Sequence, residues 1–434
     1  MTQRLQDQSP ASVRCHWNAD PASTGICVVA AAPPAHTRQF LNHVPGNDHA
    51  TLLALNSGSS SLKFGLYRMG REAASCLLEG EAENIGEASS SFHAEDADGH
   101  TVLHETSPMP DQRVALARIG QLLNDHQTPP PCAIGHRIVH GGPQLRAHCL
   151  IDAKVLQQLE AASVFAPVHT PAALAVIRYA AEHFPGLPQA ICLDTSFHAR
   201  MPAVASTLAL PRDLNIAGLQ RYGFHGLSCE SIVRQLGGAL PARLLIAHLG
   251  NGASVTAVQH GVSIDTSMGL TPTGGLIMGT RSGDMDPGVF VHLMRELKLD
   301  AAAMEELIDR RSGLLGISGL SSDMRSLHAA AATSNADARL AIDMFCYAAA
   351  RQLGAMSSAL NGVDLIVFTG GIGEHDALVR AGICARLTYL GVELDESRNH
   401  LGRGPISSDQ SRCQVQVLPS LEDEQIARHT WALC

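Results

Sequence analysis

One local pattern occurs twice in this chain and narrows the folds open to it. Thr51-Leu-Leu-Ala-Leu55, Asn56-Ser-Gly-Ser-Ser-Ser61 and Leu62-Lys-Phe-Gly-Leu-Tyr67 read as strand, small-residue turn and strand. The same order returns in Leu244-Leu-Ile-Ala-His248, Leu249-Gly-Asn-Gly-Ala-Ser254 and Val255-Thr-Ala-Val258. A short-period solenoid would not space its copies so widely. The pattern therefore implies two related α/β domains, each opening with a hairpin. A length of 434 residues accommodates two large domains, and 45% hydrophobic with only 4% aromatic residues gives them aliphatic cores.

Elsewhere apolar strands alternate with helical stretches, and the spacing predicts helices over 171–183, 301–310 and 338–360. Leu365-Ile-Val-Phe368 reads as a buried strand. Thr369-Gly-Gly-Ile-Gly373 follows as a turn leading to a helix at 376–385, an arrangement that offers backbone N–H groups to a nucleotide. Residues 1–50 show neither periodicity. Their apolar run at 26–32 lies too far from the start for a secretory signal, and Asp7, Asp20 and Asp48 argue against a transit peptide. The expectation is an unstructured or loosely docked extension, with folded sequence from near Thr51.

A formal charge of −10 without a long basic run makes nucleic acid and anionic membranes poor partners. The 11 cysteines form no CxxC pair, which suits reduced thiols in a cytoplasm. No apolar stretch approaches the roughly 20 residues that span a bilayer.

Chemistry concentrates in a few stretches. Asn56 to Lys63 offers hydroxyls, a glycine and an ammonium for phosphate oxygens, although the Walker A spacing is absent. Together with its twin at 249–254 it could hold a triphosphate across a cleft. Arg137, Arg221, Arg281 and Arg325 have glycine or hydroxyl neighbours, and guanidinium forks match carboxylate and phosphate oxygens. Asp194, after a short apolar strand, and Glu422 are candidate magnesium acids. Single residues of these kinds are more often ion pairs, caps or solvated turns. The His100/His104 and His136/His140 pairs lack a helix and a third ligand, so zinc is not expected. Asp284-Met-Asp286 stops short of an EF-hand, and no Gly-x-Ser-x-Gly elbow is present.

Taken together, the motifs resemble the acetate kinase family, within the superfamily of acetate and sugar kinases, chaperone ATPases and actin. The matching stretches are NSGSSSLKF from Asn56, HRIVHGG from His136, FAPVHTP from Phe165, LDTSFH from Leu193 and RYGFHG from Arg221. HLGNGAS from His248, DTSMGLTPTGGLIMGTRSGDMDPG from Asp265, SGLLGISGLSSDMR from Ser312 and FTGGIGE from Phe368 continue the series in family order.

The resemblance implies an α/β fold of two ribonuclease H-like (actin-like ATPase) domains with a nucleotide cleft between them. The N-terminal domain would span 51–195, completed by about 423–434, and the C-terminal domain 196–422. It implies reversible, Mg²⁺-dependent (or Mn²⁺-dependent) transfer between ATP and acetate by a cytoplasmic homodimer. Asn56, Ser59, Ser61 and Lys63 would line the first phosphate loop, and His248, Gly250, Asn251 and Gly252 the second. Asp323, Arg325, Gly371, Ile372 and Gly373 would border the adenosine. Arg137 and Arg281 match the family's substrate arginines, and His225 with Arg281 would stabilise the transition state. Asp194 would be catalytic, and Asn56 and Glu422 would serve the metal. Val139, Val168, Phe224 and Pro272 match the pocket for the acetate methyl.

The chain departs from the family at Thr273-Gly-Gly275, where Leu-Glu-Gly is frequent, and at Ser420-Leu-Glu-Asp423, where Thr-Asn-Glu-Glu is usual. Thr170 and His375 stand where Asn is common. Val168 in place of leucine implies room for propionate. A short-chain acyl kinase preferring propionate is thus the nearest alternative, and a nucleotide-driven switch the more distant one. The second arginine-lined pocket speaks against the switch.

Overall fold

The structure is a computed structural model, and it describes residues 50–434 apart from 59, 71, 72, 127, 168, 215 and 217. The expected extension, Ser59 and Val168 lie outside the described residues. Two sheets organise the chain. The first contains β1 (Ala50–Ser57), β2 (Leu62–Met69), β3 (Ala74–Glu83), β4 (Ser90–Asp96), β5 (Thr101–Ser107), β6 (Ala133–Ile138), β7 (Cys149–Leu150) and β8 (Gln189–Leu193), in the order β5-β4-β3-β2-β1-β6-β8-β7. The second contains β9 (Arg243–Leu249), β10 (Ala253–Gln259), β11 (Val262–Thr266), β12 (Leu365–Thr369), β13 (Gly404–Pro405) and β14 (Gln414–Val417), in the order β11-β10-β9-β12-β14-β13.

Stripped of their edges, the sheets share one topology. In β3-β2-β1-β6-β8 and in β11-β10-β9-β12-β14, three antiparallel strands run into two parallel ones. The repeated hairpins of the sequence are thus the first two strands of a duplicated unit. Central strands read as continuous apolar runs because they are covered on both faces: β12 is buried at all five positions, and β1 at all but Ala50. Helices Gln112–Asp125 and Thr170–His183 contribute Leu116, Ile119 and Val176 to one face of the first sheet. Helix Ala336–Ala359 contributes Phe345 and Leu353 to the second.

The final helix, Glu422–Leu433, returns to the first sheet. Ile426 and Ala427 pack with Leu52, Ala54 and Cys192. Gly135 makes this possible, since a Cβ there would fall 2.2 Å from Thr430 Oγ1. None of the described helices is long and apolar enough to cross a membrane.

Predicted helices occur at Thr170–His183, Ala301–Arg310 and Ala336–Ala359. One expectation needs correction. The glycine run after β12 is not an open turn but the helix Gly370–His375, and the expected helix follows as Ala377–Cys384. Gly370 takes φ +77°, which reverses the chain out of the strand, and its N–H donates to Glu374 Oε1 at 2.9 Å. A Cβ at Gly370 would press 2.9 Å from Leu249 O.

Candidate active site

Arg137 lies near the end of β6 and Asp194 immediately follows β8, its parallel neighbour. Parallel pairing therefore delivers both side chains to the carboxyl edge of the first sheet, where α/β folds bind ligands. Arg137 Nε and Nη2 donate to Asp194 Oδ2 at 3.0 and 2.7 Å, and Nη1 donates to Asn56 Oδ1 at 3.0 Å. Asn56, on β1, turns its amide to the final helix and donates to Asp423 Oδ1 at 3.3 Å and Glu422 Oε2 at 3.5 Å. Four separate segments thus build one network.

Its charges are out of balance with their surroundings. Burial pushes the Asp194 carboxyl up to about 6 against the pull of Arg137, with Glu422 adding repulsion. Burial and Glu422 raise Asp423 to about 6 as well. Burial opposes the Arg137 charge, yet Asp194 and Glu422 hold its guanidinium above the ordinary arginine value. Asp194 Oδ1 is buried without a hydrogen-bond partner. Asp194, Glu422 and Asp423 thus put three carboxyls around Arg137 and Asn56, the oxygen-donor type that suits a hard divalent cation, although their oxygens do not converge within 4.8 Å of one another.

The second sheet supplies the opposite wall. His225 caps helix Gly226–Leu236 from the left-handed region at φ +57°, a conformation that costs a non-glycine residue on the order of 1 kcal/mol. Its ring stacks on that of His248, at the end of β9, with centroids 4.2 Å apart. His225 Nδ1 lies 2.9 Å from Ser254 Oγ, and His248 Nδ1 lies 2.9 Å from Ser228 Oγ. Ser420 Oγ continues the second chain, 3.1 Å from Ser228 Oγ and 3.4 Å from Glu422 Oε1. Burial, His248, Arg137 and Arg281 hold the His225 imidazole well below its ordinary value, so the ring is neutral.

Glycines mark where backbone and side chains converge. A Cβ at Gly252 would lie 3.1 Å from His225 Nε2 and 3.5 Å from Arg281 Nη1. One at Gly250 would lie 3.8 Å from Gly371 N, and one at Gly279 3.3 Å from Asn251 Oδ1 and 3.4 Å from Ser322 Cβ. The second glycine loop is therefore shared by His225, Arg281, the 370–375 helix and the segment leading into Asp323.

Arg281 also borders a cavity of about 350 Å³, with Phe165, Pro167, His169, Pro272 and Thr273 among its walls. Its Nη1 donates to Pro272 O at 3.2 Å. Burial, followed by Arg281 and Arg137, lowers His169 to about 4, which makes it a second neutral imidazole beside two arginines. Phe224 is buried behind this region, its ring edge-on to His140, which in turn stacks on Phe165. Val139 is half-buried against the core of the second sheet.

Other residues from the sequence reading have partners of their own. Lys63 Nζ sits 3.5 Å from Glu81, and Ser61 lends its carbonyl to Gly58 N. Arg325 is exposed and pairs with Asp323, which caps helix Met324–Ala332. Arg221 is structural, since it donates to the carbonyls of Ala205, Thr266, Ser267 and Met268. Asp284 accepts from Gly275 N, and Asp286 caps helix Pro287–Glu296, so neither forms a calcium loop. His136 turns to Gln189 and His140 to Leu270 O.

A separate His148–Glu230–His429 cluster has metal-ligand spacing. Its protonation does not suit a metal. Leu193 N donates to His148 Nδ1 at 3.0 Å, so Nε2 carries the proton and faces Glu230 Oε1 at 3.4 Å. Asp423, His169 and the serines behind the histidines were not singled out in the sequence, because each acquires its meaning from a partner distant along the chain.

A duplicated sheet whose halves each open with a hairpin is the actin-like ATPase fold, and the relatives that share it over nearly the whole chain are phosphotransferases. The acetokinase family model matches residues 51–428. An acetate kinase of Rhodopseudomonas palustris is 42% identical over 396 residues, 88% of this chain and 98% of that protein. The crystal structure of acetate kinase from Porphyromonas gingivalis superposes with a TM-score of 0.79 at 36% identity, covering 88% of this chain and 99% of that one. That of a propionate kinase from Francisella tularensis gives 0.83 at 35%, covering 89% and 100%. The chain belongs to the acetokinase family.

Proposed function

We propose that the protein catalyses reversible phosphoryl transfer between ATP and acetate, giving ADP and acetyl phosphate. The observation that carries this reading is the meeting of Arg281 and a neutral His225 at Gly252, between a glycine loop and the pocket that Arg281 borders. Acetate is already ionised at neutral pH, so no base is needed, and the barrier lies in bringing one anion onto another. Arg137 and Arg281 neutralise that charge, and His225 adds a hydrogen bond to the transferring group. The Gly250–Gly252 backbone receives the nucleotide phosphates, with Asn56, Ser59, Ser61, Lys63 and His248 around them, and the Gly371–Gly373 turn borders the adenosine. Asp323 and Arg325 border the base and sugar. Asp194, Glu422 and Asn56, joined by Asp423, would hold Mg²⁺ or Mn²⁺, which neutralises phosphate charge when bound.

In this reading residues 51–195 with 423–434 form one domain and 196–422 the other, and their closure excludes water from the transfer. Val139, Val168, Phe224 and Pro272 receive the methyl group. The Francisella tularensis relative favours one second reading, a preference for propionate. A homodimer is supported by helix Pro287–Glu296, which has no buried residue and exposes Val289, Val291 and Met294. Helix Ala336–Ala359 likewise exposes Leu340, Met344 and Tyr347. Nine described cysteines are free, in keeping with a reducing cytoplasm. Trapping acyl phosphate formed from ATP and acetate tests the assignment.

A further inference from the structure

His225 offers one ring nitrogen to the cleft and turns the other to the interior. Nδ1 is 2.9 Å from Ser254 Oγ, on β10, and Ser254 is fully buried. A serine hydroxyl has one proton to give. Among the described residues, Ser254 Oγ has no other hydrogen-bond partner, so Nδ1 is the only acceptor for that proton. If Nδ1 were itself protonated, the hydroxyl would be a buried donor aimed at nothing. Proton accounting therefore leaves the ring proton on Nε2, the atom beside Gly252 and Arg281.

We propose that Ser254 is a positioning residue that fixes His225 as its Nε2–H tautomer, so that a neutral imidazole presents an N–H, and not a lone pair, to the transferring phosphoryl group. The inference rests on the phosphotransfer reading given above. A lone pair at Nε2 would repel the equatorial oxygens that the arginines attract, so the same ring in its other tautomer would oppose the reaction. The low proton affinity imposed on His225 by burial and by its cationic neighbours agrees with a ring whose donor must come from tautomer choice, not from a second proton.

The neighbouring histidine also has a serine behind it. Ser228 Oγ faces His248 Nδ1, and Ser420 Oγ faces Ser228. The single Ser420 proton has two acceptors in reach, Ser228 Oγ and Glu422 Oε1, so the count that fixes His225 does not extend to His248. A Cβ at Gly370 would lie 3.1 Å from His248 Nε2, so this nitrogen faces the entrance to the 370–375 helix. The two stacked rings are thus each backed by a serine hydroxyl.

The test uses the full chain labelled with ¹⁵N-histidine, its His225 and His248 signals assigned by loss in His225→Asn and His248→Asn. The expected spectrum at neutral pH shows an unprotonated Nδ1 and a protonated Nε2 for His225. Ser254→Ala should lower kcat by about 10- to 100-fold, leave both KM values within about threefold, and add no further loss in a His225→Ala background. Ser254→Thr, which keeps the hydroxyl, should recover most of the rate. A protonated Nδ1 in the wild-type spectrum, or an undiminished kcat in Ser254→Ala, would overturn the inference. Should Ser254→Ala fail to fold, the wild-type spectrum still decides. Failure of the phosphotransfer reading shows instead as a wild-type chain without acyl-phosphate activity, since the spectrum is read without turnover.

Discussion

Arg137 grips only one oxygen of Asp194: Nε and Nη2 lie 3.0 and 2.7 Å from Oδ2, while Oδ1 is buried with no partner among the described residues. The pair thus leaves one buried carboxylate oxygen without a partner. Asp194→Asn preserves the shape and removes the charge. It should lower kcat on the order of a hundredfold or more and raise the Mg²⁺ concentration needed for half-maximal rate. A kcat within threefold of wild type would separate Asp194 from the chemistry.

Asp194 and Asp423 should give the enzyme an acid limb. Both carboxyls are pushed up to about 6, chiefly by burial, so both take up protons as pH falls through that value. The rate should fall with them below about pH 6, whereas His225, neutral throughout this range, contributes nothing to the limb. The stability consequence has the opposite sign. A folded-state pKa above the unfolded value of about 3.9 gives stability that is full below pH 4 and lost as pH rises through 6. Asp423→Asn should therefore stabilise the metal-free protein at pH 7 by about 1–2 kcal/mol and leave it unchanged at pH 4, as read by urea melts at the two pH values.

Glu230 shows the reverse case. Burial opposes its charge, but hydrogen bonds from His148 and His429 hold it down at about 2. Its contribution is present above the unfolded value near 4.3 and disappears as pH falls towards 2. The cluster links helix Gly226–Leu236, which begins after His225, to the helix that begins at Glu422. Glu230→Gln should cost about 1–2 kcal/mol at pH 7, with the difference from wild type closing below pH 3, measured by denaturant titration.

Association should run through the apolar helix faces left open in the second half of the chain. Met294→Glu and Tyr347→Glu each place a charge among exposed apolar side chains. Both variants should halve the mass observed in size-exclusion chromatography with light scattering, while a substitution at the distant exposed Val164 should not. A mass that does not change with either variant would move the interface elsewhere.

The hairpins, the buried β12 strand and the helices could be read from the sequence because each is encoded by residues close together: an apolar run, a small-residue turn, a 3.6-residue period. The 370–375 helix escaped because its first turn is held by Glu374 folding back onto Gly370, a contact that composition does not announce. Asp423 carries no local signal of its own, and only the return of the final helix onto β1 brings it to Asn56. Ser254 is one small residue on an apolar strand, and 29 positions separate it from the histidine it faces. Arg221 carried the same glycine-rich signature as Arg281, yet one secures backbone carbonyls and the other borders the pocket. Local pattern cannot separate the two, because the difference lies in which way the strand and loop turn the side chain.

The central claim, acyl phosphorylation with Arg281 in the transfer site, is tested most directly by incubating the protein with ATP, Mg²⁺ and acetate and trapping the product as acetyl hydroxamate. The expected result is hydroxamate that depends on acetate, is abolished by EDTA, and falls on the order of a hundredfold or more in Arg281→Ala. Greater yield from propionate at equal concentration would shift the acyl preference within the same chemistry. No hydroxamate from any short carboxylate, from protein that binds ATP, would contradict the account.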